Sequence, residues 1–283
     1  VSACTCLLKS VAVAFAFVLG TVTLANAYGV DPAEPRTVVV GPPRGFAPSE
    51  RLDAHRTGRA TTRLPSSPVE IWRRHLGGGV DFAPIVDEEG GIVVALTTPE
   101  IAKLGPEGSE IWRARVGTSP PSGPPSFLSD GTIVVVTSAA IVWAFTPSGS
   151  LRYATPLSVR GRDADVPPVA LETGGCVVAA GSSVVQLDAD GTVRGRAVLP
   201  GRAPGSSAVR MERASSVVDS PAGTLVIAES GTVYRLRSPE PPSPVGSFGG
   251  ASRGGAFLAD AQTLISVVDA RRVVAMDLKT GIA

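Results

Sequence analysis

The sequence predicts an all-β fold, a β-propeller of four-stranded antiparallel blades, on three observations. One pattern recurs five times between Val69 and Ala283. It is an apolar opening, an acid-and-glycine turn, a Val/Ile-rich run, a second apolar run, another glycine turn and an aromatic strand. Aligned on the first turn, the copies are APIVDEEGGIVVAL (83–96), PSFLSDGTIVVVTS (125–138), PVALETGGCVVAAG (168–181), SVVDSPAGTLVIAE (216–229) and AFLADAQTLISVVD (256–269). The turn landmarks Gly91, Gly131, Gly174, Gly223 and Gln262 are then spaced by 40, 43, 49 and 39 residues. A period of this length, made of short β runs, marks propeller blades, none of which can bury both faces alone. Finally, no stretch after residue 30 keeps a helical apolar period; the apolar runs are short, β-branched and bounded by Gly, Pro, Asp or Ser.

Each element follows in chain order. Lys9 precedes an uncharged apolar stretch, Val11 to Leu24, and then Ala25-Asn26-Ala27, an A-x-A cleavage pattern. Residues 1–27 are therefore expected to be a secretory signal peptide. An uncleaved anchor is the alternative, because no charge appears from Ser10 to Val30. Residues 28–68 carry Pro at 32, 35, 42, 43, 48, 65 and 68 with few large apolar side chains. That composition predicts an extended linker, mostly outside the fold. Residues 69–283 form the propeller.

Within a blade, three consecutive strands and a fourth are expected. In the second repeat they are Ser126–Leu128, Thr132–Thr137, Ile141–Phe145 and Leu151–Pro156. Glycine in the third-to-fourth turns supplies the positive φ of tight connections. Trp112 and Tyr153 follow those turns, where a flat ring can cover the edge between neighbouring blades. The segment V-E-I-W-R-R-H-L (69–76) nearly repeats the fourth strand S-E-I-W-R-A-R-V (109–116), while the fifth repeat has no fourth strand before Ala283. The expectation is five blades, with Val69–Leu76 pairing beside Val273–Leu278 and Trp72 filling the slot that Trp112 fills in the first blade. A ring closed in this way leaves no free sheet edge. A piece of a larger propeller is the other reading of the same ends.

Ala275-Met276-Asp277-Leu278-Lys279-Thr280-Gly281 matches A-x-D-x-x-T-G, and on these residues the chain resembles propellers of the pyrroloquinoline quinone (PQQ) repeat type. It is the first part of that family's tryptophan-docking motif. Gly108-x-x-x-Trp112 and Gly149-x-x-x-Tyr153 resemble the second part, with Leu104 and Thr146 replacing the motif's Asp. The resemblance covers the chain from Val69 onward and assigns Trp72, Trp112, Tyr153, Ala275, Asp277, Thr280 and Gly281 structural roles. The family includes quinoprotein dehydrogenases and non-enzymatic scaffolds such as the β-barrel assembly lipoprotein of the outer membrane. Its enzymes hold PQQ and Ca²⁺ with clustered acids, an Asn, a stacking Trp and commonly a vicinal Cys pair. This chain has no Asn after Asn26, and Cys176 is the one cysteine beyond the leader.

Composition narrows the function classes further. Lys and Arg total 26 against 25 acids, and the leader's Lys9 removes the difference, so a neutral chain gives no electrostatic case for nucleic acid. His55 and His75 are the only histidines, too far apart in sequence for a recognisable metal spacing. Asp87, Asp130, Glu172, Asp219 and Asp260 recur once per repeat, as turn-forming residues do, whereas catalytic acids would break the repeat. Arg160–Asp165 is an asymmetric insertion that reads as a solvated connection. The expected function is an exported, non-catalytic propeller scaffold or binding module of the cell envelope, periplasmic or extracellular. Its partner is expected to be another envelope protein or a small ligand at the propeller face. No catalytic, cofactor-binding or metal site is assigned, and membrane contact arises only through an uncleaved leader. A PQQ-dependent dehydrogenase-like or carbohydrate-active propeller enzyme is the alternative.

Overall fold

The computed structural model describes residues 47–50, 52–58, 67, 69–158, 166–200, 211–237 and 240–283. The expected signal peptide and the insertion Arg160–Asp165 lie outside the described residues. No helix occurs among those described.

Five antiparallel sheets follow the five repeats. The first blade is β1 (Ile85–Val86), β2 (Ile92–Ala95), β3 (Glu100–Leu104) and β4 (Glu110–Arg115). The second is β5 (Ser126–Phe127), β6 (Ile133–Val136), β7 (Ile141–Phe145) and β8 (Leu151–Pro156). The third is β9 (Val169–Ala170), β10 (Cys176–Ala180), β11 (Ser183–Leu187) and β12 (Val193–Val198). The fourth is β13 (Ala214–Val218), β14 (Thr224–Ala228), β15 (Thr232–Leu236) and β16 (Ser243–Ser247). The fifth has three strands, β17 (Ser252–Leu258), β18 (Thr263–Val268) and β19 (Arg272–Asp277). First strands of successive blades touch, β5 against β9 and β13 against β17, so they form the inner wall of the propeller.

The Val/Ile runs are buried on both faces, and their period of two explains why. Alternate residues of a strand point to opposite faces of its sheet. In β6, Ile133 and Val135 pack toward the first blade with Val93, Ile101 and Phe127. Val134 and Val136 pack toward the third with Cys176 and Val178. Val177 and Ala179 then meet Val217 and Val226 of the fourth blade, whose Leu225 and Ile227 meet Ala256, Leu264 and Met276 of the fifth. Four apolar seams thus join successive blades.

Closure by the N-terminal strand is where the structure departs from expectation. Val69–Leu76 joins no sheet, and β19 stands at the edge of a three-stranded sheet with Val273 76% exposed. The segment is held instead by side chains of the first blade. Trp72 lies on the β3–β4 turn, and the Arg113 guanidinium donates to the Leu76 carbonyl at 3.1 Å. Those contacts place it where the outer strand of a preceding blade would lie, without a backbone ladder.

Candidate functional site

The third residue of each outer strand faces the β-turn that precedes the outer strand of the next blade. A Cβ built on Gly149 would lie 2.7 Å from the ring of Trp112, and one on Gly191 would lie 2.3 Å from that of Tyr153. Trp72 repeats the arrangement on Gly108, again at 2.7 Å. All three glycines have positive φ, which glycine adopts without steric cost, and each presents bare backbone to a flat ring. The indole N–H of Trp72 donates to the Pro106 carbonyl at 2.8 Å, and that of Trp112 to the Pro147 carbonyl at 3.0 Å. The ring of Tyr153 is buried. Trp72 and Trp112 are both half-buried.

Asp277 closes the equivalent turn of the fifth blade. Its Oδ1 accepts the N–H groups of Lys279 and Thr280 at 2.7 and 2.9 Å, and these hold its carboxyl below the usual range. Gly281 packs so closely on β16 that a Cβ there would sit 2.1 Å from the Val245 carbonyl oxygen. Ala275 pairs with Ile265 in the ladder and is exposed, as is Thr280. Position for position, Asp277 corresponds to Gly105, Thr146 and Asp188, whose carbonyls accept from Gly108, Gly149 and Gly191 at 2.9, 2.9 and 3.0 Å. Gly105, rather than Leu104, thus stands in the motif's Asp position in the first blade.

One interface breaks the series. The third residue of β12 is Gly195, and the fourth blade's turn carries Glu240, whose N–H donates to the Arg237 carbonyl, in place of glycine. A cavity of about 150 Å³ opens there, lined by Val184, Gln186, Gly195, Ala197, Leu236 and Glu240 among others. Aligning the fourth strands by sequence puts Gly195 opposite Trp112 and Tyr153, and this glycine is the sequence signal of the gap.

The axis of the propeller is also occupied by its own chain. Ala47 bridges Val86 of β1, and the Pro48 carbonyl accepts from Phe127 of β5 at 2.7 Å. The Ala54 and His55 carbonyls accept from Asp219 and Leu258, at the ends of β13 and β17, at 3.3 and 3.1 Å. A small cavity between this segment and Pro167–Ala170 of the third blade completes the circuit. Arg56, buried at 6% exposure, pairs with Glu50 at 2.6 Å, and Asp53 accepts the Thr57 N–H at 3.0 Å. Residues 47–50 and 52–58 therefore lie on the inner wall, not outside the fold as the proline content of 28–68 predicts. The physical reason is that inner-strand N–H groups at the channel mouth find carbonyl partners in this segment.

Reactive groups are largely committed to structure. Asp87 Oδ1 accepts from Gly91 and Glu89, at 2.6 and 3.1 Å, while its other oxygen pairs with Lys103 at 2.7 Å. Asp260 accepts from Gln262 and Thr263, both at 2.8 Å. In Asp130, burial opposes ionisation but is outweighed by hydrogen bonds from Thr132 and Arg152, so its carboxyl titrates low. Asp219 is the exception. Burial, with Glu172 adding its charge, raises its pKa. Cys176 is fully buried, and burial alone pushes its thiol up to about 12. His75 is exposed and His55 half-buried. Among the described residues no group of three or more His, Cys, Asp or Glu side chains is placed to hold a metal ion.

Solved propellers share this architecture. BamB from Moraxella catarrhalis superposes with a TM-score of 0.58 at 16% identity, over 75% of this chain and 62% of that one. The quinohemoprotein alcohol dehydrogenase from Comamonas testosteroni gives 0.63 at 11% identity, over 83% of this chain and 48% of the other. The C-terminal WD40 domain of Sif2 gives 0.54 at 14% identity, over 71% and 55%. The chain spans less than two thirds of each, and likeness at these identities establishes the propeller fold. No curated protein matches the chain. Sequence similarity to one family, however, runs through residues 56–282, nearly the whole propeller. On that match the chain belongs to the family described as outer membrane protein assembly factor BamB.

Proposed function

We propose that this protein is an exported, non-catalytic scaffold or binding module of the cell envelope, working in the periplasm or outside the cell by holding another envelope protein. The observation that carries this reading is the family match over residues 56–282, together with a fold whose acids serve its own turns. Export rests on the Lys9–Ala27 pattern. With residues 47–50 and 52–58 across the inner strands, the faces and blade edges are the surfaces left for a partner.

The dehydrogenase reading is kept alive by the quinohemoprotein neighbours. The residues here do not fit PQQ with Ca²⁺. A hard cation takes six or more oxygen ligands, and no such cluster lies on the inner wall among the described residues. The one thiol of the propeller is buried and alone. Fractionation of cells expressing the tagged full chain tests the proposal, which expects the cleaved protein in the envelope fraction. Recovery in the cytoplasm, or saturable micromolar PQQ binding that depends on Ca²⁺, would refute it.

A further inference from the structure

We propose that the cleft between the third and fourth blades is a binding site for one aromatic side chain, Trp or Tyr, carried by a segment of a partner protein. The argument starts from equivalent positions. Trp72, Trp112 and Tyr153 each lay a ring on the turn of the following blade, and at the fourth blade the strand offers Gly195 instead. A cavity of about 150 Å³ lies where the ring is missing. A cavity of about this volume holds a benzene molecule in an engineered protein, and because this one opens to the surface it has room for one aromatic side chain and no more.

Chemistry refines the occupant. Glu240 carries a Cβ where the other turns have glycine, so the incoming ring cannot lie on the turn as Trp72 does. It sits against the bare backbone of Gly195, with Ala197 and Leu236 as apolar walls. Gln186 and Glu240 also line the cavity, and their side-chain oxygens are acceptors for an indole N–H or a phenol O–H. This favours Trp and Tyr over Phe, in keeping with the enrichment of those two as interface anchors. A neighbouring cavity of about 480 Å³ shares Val184, Arg196 and Ala197 with the first. Its rim includes Val198, 47% exposed, and Met211, 61% exposed, an apolar bed for the residues flanking the anchor. The connector 201–210 of this chain contains no aromatic residue, so it does not supply the ring.

This inference rests on the reading of the protein as a binding module, and its test is separate from the fractionation above. The full chain is titrated with N-acetyltryptophanamide, N-acetyltyrosinamide and the cyclohexylalanine analogue while backbone amides are followed by NMR. The expected result is saturable binding of both aromatic probes in about the millimolar range, with shifts concentrated at Gly195, Ala197 and Leu236. The aliphatic analogue should bind about tenfold more weakly or not at all. Gly195→Trp should fill the cleft from within, raise the melting temperature and abolish probe binding. Shifts that fall elsewhere, equal binding of the aliphatic probe, or a folded Gly195→Trp variant with unchanged affinity would each overturn the site. If Gly195→Trp does not fold, the shift map of the wild-type chain decides alone. An absence of ring binding sinks this site without touching localisation in the envelope, and the converse also holds.

Discussion

Gly149 shows how tightly single residues are specified at the blade interfaces. Its φ of 89° and the Trp112 ring against its backbone leave no room for a methyl group. Gly149→Ala should therefore destabilise the protein by about 1–3 kcal/mol, from backbone strain and a displaced ring, read as a lower midpoint in urea unfolding. Tyr153 offers the opposite case. Its hydroxyl is buried without a hydrogen-bond partner, and such a group costs about 1–3 kcal/mol to desolvate. Tyr153→Phe should be neutral or stabilising by up to about 1 kcal/mol, whereas a clear loss of stability would mean that the hydroxyl is bonded.

The segment of residues 47–50 and 52–58 is the element whose role the structure changes most. Its carbonyls accept from Phe127, Asp219 and Leu258, and Ala47 exchanges two hydrogen bonds with Val86. At about 0.5–1.5 kcal/mol net each, such bonds make the segment a brace across the inner strands. Deleting residues 47–58 should lower the melting temperature and speed amide exchange at Phe127 and Leu258; unchanged exchange would show that the segment does not brace the channel. Sequence legibility follows from the same contrast. The strands of the second blade fall within a residue or two of their expected bounds, because short β-branched runs bounded by glycine turns mark where each strand starts and stops. The brace was illegible because its bonds are made by carbonyls, which every residue carries, so Pro48 and Ala54 leave no mark in composition. Of the candidate site, the docking rings were legible from their spacing. The gap at Gly195 depends on an absent side chain, which a search for motifs passes over.

For the whole molecule, acid sensitivity follows from the turn carboxylates. Backbone hydrogen bonds hold Asp260 and Asp277 low, and in Asp130 the Thr132 and Arg152 bonds outweigh burial. A carboxylate whose folded pKa is depressed contributes stability above its unfolded value, near about 4, and loses it as pH falls through the folded value. Asp219, raised by burial, works in the opposite sense and contributes at low pH, losing that contribution as pH rises through its folded value. With more groups depressed than raised, the melting temperature should hold from neutral pH to about pH 5 and fall below about pH 4. A melting temperature that rises on acidification would contradict these assignments.

The chain belongs to the BamB family, and we propose that it serves as a binding scaffold. The most direct measurement is native mass spectrometry of the tagged full chain, isolated from the envelope after mild cross-linking in living cells. A scaffold should appear as a discrete complex of fixed stoichiometry with another envelope protein, with no mass increment corresponding to PQQ. A chain recovered without a protein partner, binding PQQ and oxidising an alcohol with an artificial electron acceptor, would contradict it.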